Sequence, residues 1–301
     1  MEAIVQEIQD LKKQRQAIIL AHYYQWPEVQ DVADIVGDSL ELAKAAARTE
    51  AEVIVLCGVH FMAESAALLA PEKTVLLPES SAGCPMADMV GEEQLVQWKE
   101  AHPQAKVVAY VNTSAVVKAL SDVCCTSANA VQVVASLPKE EKVLFLPDRN
   151  LGAYVAAQTG RELELWPGWC NTHAKVRMGD LQAAKKAYPQ ALVLAHPECR
   201  PEVLAAADQI TSTAGMIRFA ENSTAEEFLI VTEEGVLHRL QQACPEKKFY
   251  LATSKLFCPN MKKTSLRSVR AALKNMKPAV AVTPAVRQPA LQSLQRMLEL
   301  S

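Results

Sequence analysis

The chain has 301 residues, of which half are hydrophobic and 5% aromatic, and its formal net charge is −3 at pH 7. This composition excludes a disordered or fibrous chain, and the small charge argues against a nucleic-acid or membrane-surface role that depends on bulk electrostatics. The N-terminus has no basic leader with an apolar signal core, and no apolar run approaches the ~18 residues that span a bilayer. We therefore predict a cytoplasmic globular protein whose eight cysteines are reduced thiols or metal ligands.

Hydrophobic periodicity predicts a series of helix–strand pairs in each third of the chain, and each series ends in a loop with a cysteine. For the first third we predict helix Ile4–Arg15, strand Ala17–Ala21, helix Ser39–Arg48, strand Val53–Leu56, helix Phe61–Leu69 and strand Thr74–Leu77. For the second we predict helix Glu92–Ala101, strand Val107–Val111, helix Ser127–Leu137, strand Val143–Leu146, helix Leu151–Gln158 and strand Leu163–Trp166. For the third we predict helix Asp180–Ala187, strand Leu192–Ala195, helix Pro201–Ala207, strand Phe228–Val231, helix Val236–Cys244, strand Phe249–Ala252 and a closing helix Pro289–Leu300.

Landmarks recur in the three thirds at nearly constant spacing, which indicates an internal triplication. The spacing is 86 and then 88 residues for Cys84, Cys170 and Cys258. It is 88 and then 86 residues for two other sets, which are His22, Tyr110 and His196, and Ser39, Ser127 and Thr213. Because short apolar strands alternate with helices, we predict parallel sheets covered on both faces. The predicted fold is α/β, with three similar three-layer αβα units (1–88, 89–174 and 175–301) about a pseudo-threefold axis.

Polar side chains beyond the predicted strands are the candidate ligand-binding groups, because open parallel sheets bind ligands at their carboxyl edge. These groups are His22, Tyr110 and His196 at strand ends, and Ser39, Ser127, Ser212 and Thr213 near helix starts. The free N–H groups of a helix start bind carboxylate or phosphate. Plain helix capping is the alternative for each hydroxyl, and the threefold repetition is what favours a pocket for a polyanionic substrate.

Cys84, Cys170 and Cys258 are the candidate metal ligands, because each lies in a Pro- or Gly-containing loop after a strand. Structural zinc prefers four ligands, usually in CxxC pairs, which this sequence lacks. An iron–sulfur cube held by three cysteines leaves one iron open to substrate as a Lewis acid, which suits dehydration chemistry. The remaining cysteines are predicted core residues (Cys57, Cys199 and Cys244) or a pair left open between core and reactive roles (Cys124 and Cys125).

Proton transfer beside such a metal needs acids and bases, and three residue types near the strand ends can supply them. Tyr24 is a candidate proton donor, and His196 and Glu198 place an imidazole beside a carboxylate. His173 follows Cys170 by three residues. Glu198 needs partial burial to bring its pKa towards neutrality. Packing is the alternative for Tyr24 and for each histidine, and the residues alone do not decide between the two.

Eight short segments resemble those of the quinolinate synthase family, and they occur in that family's order. They are His22-Tyr23-Tyr24-Gln25, Gly37-Asp38-Ser39-Leu40, Ala109-Tyr110-Val111-Asn112-Thr113, Cys125-Thr126-Ser127-Ala128-Asn129, Leu146-Pro147-Asp148-Arg149-Asn150-Leu151-Gly152, His196-Pro197-Glu198-Cys199, Ser212-Thr213-Ala214-Gly215-Met216 and Cys258-Pro259-Asn260-Met261-Lys262. The C-terminal tail also resembles the closing helix of that family.

The resemblance implies an enzyme of NAD biosynthesis that condenses iminoaspartate with dihydroxyacetone phosphate to give quinolinate, phosphate and water. It implies a [4Fe-4S] cluster ligated by Cys84, Cys170 and Cys258 at the centre of three α/β units. The implied catalytic residues are Tyr24, His196 and Glu198, and the implied substrate-binding residues are His22, Ser39, Tyr110, Asn112, Ser127, His173, Ser212 and Thr213. It leaves open whether an aspartate oxidase delivers the imine in a transient contact, and it implies no nucleic-acid or membrane partner.

Two functions of other classes remain alternatives. A different cluster-dependent hydro-lyase, acting on a small hydroxy acid, would share the open iron but would not need a phosphate pocket. A non-enzymatic iron–sulfur sensor or scaffold would need no acid–base residues at the strand ends. The set formed by His22, Tyr110 and Glu198 argues against the scaffold.

Overall fold

A computed structural model describes residues 2–301 of the chain. Within this range twelve strands form three sheets of four strands, and the strands pair in parallel throughout. The strands are β1 Ala17–His22, β2 Ile35–Gly37, β3 Val53–Cys57, β4 Thr74–Leu76, β5 Lys106–Tyr110, β6 Val123–Cys125, β7 Val143–Leu146, β8 Glu164–Leu165, β9 Leu192–Ala195, β10 Gln209–Ile210, β11 Glu227–Val231 and β12 Lys248–Leu251.

Helices connect the strands and cover the sheets. They are α1 Glu2–Gln14, α2 Pro27–Val32, α3 Ser39–Arg48, α4 His60–Leu69, α5 Glu92–Ala101, α6 Ala115–Ala119, α7 Ala130–Ala135, α8 Arg149–Thr159, α9 Met178–Ala187, α10 Pro201–Leu204, α11 Thr213–Asn222, α12 Val236–Ala243, α13 Leu266–Asn275 and α14 Pro284–Glu299. In the part of the chain that is described, none of these helices has the length and apolar character needed to cross a membrane.

The three sheets share one strand order, which confirms the predicted fold of three similar αβα units. The orders are β2-β1-β3-β4, β6-β5-β7-β8 and β10-β9-β11-β12. The prediction is wrong in giving three strands to each unit, because it lacks the edge strands β2, β6 and β10. These strands have only two or three residues and pair on one side, so no long apolar run marks them in the sequence.

An aspartate fixes each edge strand in the same way. Asp34, Asp122 and Asp208 precede β2, β6 and β10, and the side chain of each accepts a backbone N–H from the central strand at 2.8 Å. The donors are Ile19, Val107 and Val193, and the carbonyl oxygens of the same three residues accept the backbone N–H groups of the aspartates. Charged acceptors form the stronger class of hydrogen bond. The internal repeat therefore extends to side-chain contacts, and the first two strands of every unit have the same register.

One hydrophobic core joins the three units. Leu20, Val108 and Ile230, from β1, β5 and β11, belong to a single cluster of buried side chains. Ile19 and Val193 face the other way into two separate clusters, as the alternation of side chains along a strand requires. The C-terminal helices pack on the first two units, because α13 contacts α1 and β3 while α14 contacts α6, β6 and α4.

Several helix boundaries differ from the prediction. Helix α7 begins at Ala130 instead of Ser127, because the Asn129 side chain accepts the backbone N–H of Thr126 at 2.7 Å and holds a turn there. Helix α14 begins at Pro284 rather than Pro289, since a proline at the first helical position gives up no hydrogen bond. Helix α10 ends at Leu204, and α2, α6 and α13 were not predicted.

Candidate metal centre and active site

A cavity of about 510 Å³ lies beyond the carboxyl ends of the sheets, and Cys84, Cys170 and Cys258 all line it. A short 3₁₀-helix begins three residues after each cysteine. These helices are Ala87–Met89, His173–Lys175 and Met261–Lys263. The three loops therefore share one local structure, and the triplication brings three sulfur donors to a single space.

The chemistry of these thiols fits a bound metal. All three cysteines are partly buried, and each has a free thiol rather than a disulfide. Burial raises the pKa of Cys84 to about 12, with a further rise from the charge of Cys258. Burial also raises the pKa of Cys170 and of Cys258. Thiolates in such surroundings need a nearby positive charge, which a metal supplies when it binds.

A second group of metal-binding atoms overlaps the cysteines. The ligand atoms of Cys170, His173 and Glu198 lie within 4.8 Å of one another. The Nδ1 atom of His173 is 3.2 Å from the sulfur of Cys170 and 2.7 Å from Oε2 of Glu198. Sulfur, imidazole and carboxylate donors at this spacing are able to hold a metal ion.

A chain of hydrogen bonds joins two tyrosines across the wall of the cavity. The Tyr24 hydroxyl is 2.7 Å from the Thr232 hydroxyl, which is 2.8 Å from Nε2 of His173. Nδ1 of His173 contacts Oε2 of Glu198 at 2.7 Å, and Oε1 of Glu198 accepts a bond from the Tyr110 hydroxyl at 2.6 Å. These five groups thus form a continuous path along which protons can move.

Glu198 is an ionised carboxylate rather than an acid near neutrality. It is 4% exposed, and burial is the largest effect and favours a higher pKa. The adjacent His173 ring and the hydrogen bonds from His173 and the Tyr110 hydroxyl outweigh burial, and they hold the pKa of Glu198 below its usual range. The burial that the sequence required is present, but it does not bring this pKa towards neutrality, because hydrogen bonds to the charged form favour that form.

His22 and His196 occupy equivalent positions and are neutral at pH 7. Burial is the main cause that lowers the pKa of each ring to about 3. Nδ1 of His22 accepts the backbone N–H of Tyr24 at 3.1 Å, and Nδ1 of His196 lies 3.4 Å from the N–H of Glu198. Each neutral ring therefore carries its proton on Nε2, and that of His196 points at the Ser127 hydroxyl, 3.2 Å away.

The lowered pKa of His196 predicts a loss of stability in mild acid. An unfolded histidine protonates near pH 6.5, whereas the folded ring stays neutral down to about 3. Between these values the unfolded chain binds more protons, so the free energy of unfolding falls as the pH is lowered, by about 1.4 kcal/mol per pH unit for one such group. Thermal melts between pH 7 and pH 5 should show a shallower fall for His196→Gln than for the wild type.

The matched control for this experiment is His60→Gln, because the His60 side chain is 51% exposed. Its melting temperature should follow that of the wild type at every pH. An equally steep fall in His196→Gln and in the wild type would contradict the neutral, buried state of His196.

Most of the residues expected in the pocket line the cavity. They are Tyr24, His196, Glu198, His22, Ser39, Tyr110, Asn112, Ser127, His173 and Thr213. Ser39 and Thr213 begin α3 and α11, whereas Ser127 lies in the turn before α7. Ser212 is the exception, because its hydroxyl accepts the backbone N–H of Gly215 at 3.2 Å and caps α11. For Ser212, capping is the role that the structure displays.

The structure adds residues that the sequence analysis did not single out. Lys175, Arg177 and Arg200 line the cavity and give it a cationic side. Thr232 is fully buried and joins Tyr24 to His173. The segment from Thr172 to Arg177 carries two cations directly after the Cys170 loop, and these charges were the one feature of the sequence that pointed to the cationic side. No feature of the sequence pointed to Thr232, because only the fold brings it between two distant side chains.

Comparison with known proteins identifies the family of the chain. The sequence model of the family described as "NadA: Quinolinate synthetase A protein" matches residues 6–299. A quinolinate synthase of Desulforudis audaxviator is 55% identical over 299 residues, which cover 99% of both chains. Those of Methanosarcina barkeri and Dehalococcoides mccartyi are 54% and 51% identical, and the alignments cover 97% or more of each chain. The chain therefore belongs to the quinolinate synthetase A family of enzymes.

Proposed function

We propose that this cavity condenses iminoaspartate with dihydroxyacetone phosphate to give quinolinate, phosphate and water, as a step of NAD biosynthesis. The observation that carries the proposal is the meeting of three cysteines with the Glu198 hydrogen-bond network in one cavity. The family relationship supports the same activity.

The proposed cofactor is a [4Fe-4S] cluster held by Cys84, Cys170 and Cys258. Three sulfur donors, each in a loop of the same local structure, match the cysteine ligation that such clusters require. When bound, the cluster supplies an open iron that polarises carboxylate and hydroxyl oxygens as a Lewis acid. Reduced thiols of this kind also support a location in the cytoplasm.

The cationic side of the cavity supports a substrate that carries a phosphate or carboxylates. Lys175 and Arg177 are exposed, and Arg200 is half-buried and donates to the carbonyl oxygen of Ala174 at 2.8 Å. Positive charge at the mouth of a cavity attracts anions and raises their local concentration. Inside, the hydroxyls of Ser39 and Thr213 line the cavity at the starts of α3 and α11 and can donate to anionic oxygens. Neutral His22 and His196 donate from Nε2 to the same class of atom.

The Glu198 network performs the proton transfers in this proposal. Glu198 accepts a proton from the substrate carbon or nitrogen, because it is ionised and faces the cavity. His173 and Thr232 connect it to Tyr24, whose hydroxyl, with a pKa raised well above the usual value by burial, can return a proton. The enclosing walls limit the access of water to the labile imine.

A hydro-lyase that dehydrates a small hydroxy acid remains the second candidate. Its carboxylate substrate would also be attracted by Lys175, Arg177 and Arg200, so the family relationship is what favours quinolinate formation. A sensor or scaffold would need neither the cations nor the hydrogen-bond network.

An anaerobic assay tests the proposal. Protein reconstituted with iron and sulfide is mixed with iminoaspartate and dihydroxyacetone phosphate, and quinolinate and phosphate are measured together by mass spectrometry and a colorimetric assay. We expect both products in equal amounts, and none from protein stripped of iron. Fully loaded protein that forms no quinolinate, or that instead dehydrates malate, would overturn the proposal.

The same assay examines the supply of the imine. Iminoaspartate can be made chemically or by an added aspartate oxidase. Transient contact with the oxidase predicts a faster rate for the coupled system at the same concentration of free imine. Equal rates would leave diffusion as the route of supply.

A further inference from the structure

Two buried acidic side chains, Asp148 and Glu233, each accept a hydrogen bond from the backbone of a cysteine loop. We propose that they are positioning residues that fix the Cys170 and Cys258 loops and slow the loss of iron from the metal centre. This inference rests on the proposed iron–sulfur centre, and it concerns residues that take no part in the proton transfers described above.

The two carboxylates occupy equivalent positions. Asp148 and Glu233 each lie two residues beyond the end of a central strand, β7 or β11, and both are fully buried. Oδ2 of Asp148 accepts the backbone N–H of Cys170 at 2.9 Å, and Oε1 of Glu233 accepts that of Cys258 at 3.1 Å. The same contact therefore recurs in the second and third units.

Asp148 also links the cysteine loop to Glu198. Its Oδ1 atom accepts the backbone N–H groups of Asn150 and Leu151, both at 2.8 Å, which caps α8. The side chain of Asn150 then donates to the carbonyl oxygen of Glu198 at 3.1 Å. Three backbone N–H groups therefore hold the two oxygens of Asp148 in one orientation.

Glu233 makes further contacts that link the Cys258 loop to the strand end near Tyr24. Its Oε2 atom accepts the backbone N–H of Gly235 at 2.7 Å, and Lys262, four residues after Cys258, lies 3.2 Å away. The ammonium of Lys262 also donates to the carbonyl oxygen of Tyr24 at 2.8 Å. This pair joins the Cys258 loop to the strand end that carries Tyr24.

The first unit differs at the corresponding place. Two residues beyond the end of β3 stands Val59, an apolar residue that lines the cavity. The segment before Cys84 is held by a backbone bond instead, from the N–H of His60 to the carbonyl oxygen of Ala82 at 2.8 Å. A carboxylate thus supports two of the three ligand loops, so its presence is not required simply to form a loop of this shape.

One consequence follows from this arrangement. Groups that orient metal ligands commonly change metal affinity when they are replaced. Loss of either carboxyl contact should therefore free the attached cysteine loop and weaken its hold on the metal centre.

The test is Asp148→Asn in the full-length, cluster-loaded protein. The amide oxygen can stay with the N–H groups of Asn150 and Leu151, so the amide nitrogen faces the N–H of Cys170 and that bond is lost. We expect the electron paramagnetic resonance signal of the reduced cluster to change in shape, because the Cys170 loop is no longer fixed. We also expect iron release to a chelator to quicken by about 10- to 100-fold.

Asp122→Asn is the matched control, because Asp122 accepts a backbone N–H at 2.8 Å in the same unit but at the amino end of the sheet. It should leave the resonance signal and the rate of iron release unchanged. Glu233→Gln, which places an amide beside the N–H of Cys258, should also quicken iron release and serves as the second test if Asp148→Asn does not fold. Wild-type iron release from a folded, loaded variant, or an equal increase in Asp122→Asn, would overturn the inference. A wild type that binds no cluster would instead overturn the proposed function.

Discussion

Glu198→Gln is expected to lose quinolinate formation while it keeps its iron. The carboxylate accepts a bond from the Tyr110 hydroxyl through Oε1 and contacts His173 through Oε2. Glutamine has the same size but no charge, and its amide nitrogen faces one of these partners as a second donor. Removal of a positioned general base lowers a rate by about 10²- to 10⁴-fold, so turnover should fall by that factor in the anaerobic assay.

The control variant is Glu202→Gln, four residues further along the chain. The Glu202 side chain is 50% exposed and pairs loosely with Arg200 at 3.9 Å. It should show wild-type turnover and iron content. Turnover of Glu198→Gln within a few-fold of the wild type would remove Glu198 from the proton transfers, and loss of iron in that variant would assign it to the metal centre instead.

The second large effect is expected from the cysteines. Cys84→Ser, Cys170→Ser and Cys258→Ser should each lose the cluster and its brown colour, because a serine hydroxyl is a much weaker ligand for iron than a thiolate. Quinolinate formation should then fall to background. Iron and sulfide per folded chain, measured after identical reconstitution, give the result.

Cys57→Ser and Cys244→Ser are the matched controls. Cys57 is fully buried in β3, and Cys244 is buried at the end of α12. Each belongs to a hydrophobic cluster. Neither is among the residues that line the cavity with the other three thiols, so neither sulfur is placed to be a ligand. Both variants should retain four irons per chain, and loss of iron from either would contradict their role in packing.

The repeat is what made the fold predictable. Landmarks spaced by 86 or 88 residues required equivalent units, and alternating strands and helices required parallel sheets. The edge strands escaped prediction because a strand such as Gln209–Ile210 is specified by its neighbour and by the Asp208 contact rather than by its own apolar character. The helix over Leu266–Asn275 escaped because its apolar face packs on the distant helix α1.

The candidate site was predictable where chemistry and position coincide in the sequence. Cys84, Cys170 and Cys258 stood out because their residue type and their spacing pointed to the same role. Thr232 and Asp148 did not stand out, because the role of a buried threonine or aspartate depends on the residue that folding brings into contact with it. Glu198 and His173 were both expected in the pocket, but their 2.7 Å contact, which lowers the pKa of Glu198, depends on the fold and has no signal in the sequence.

The most direct measurement of the central claim is a Mössbauer spectrum of isotope-enriched, reconstituted protein with and without quinolinate. If three thiolates hold a [4Fe-4S] cluster with one open iron, a single iron of the four should differ from the others and should change when quinolinate is added. A spectrum of four equivalent irons that does not respond to quinolinate, or protein that assembles no cluster, would contradict the account.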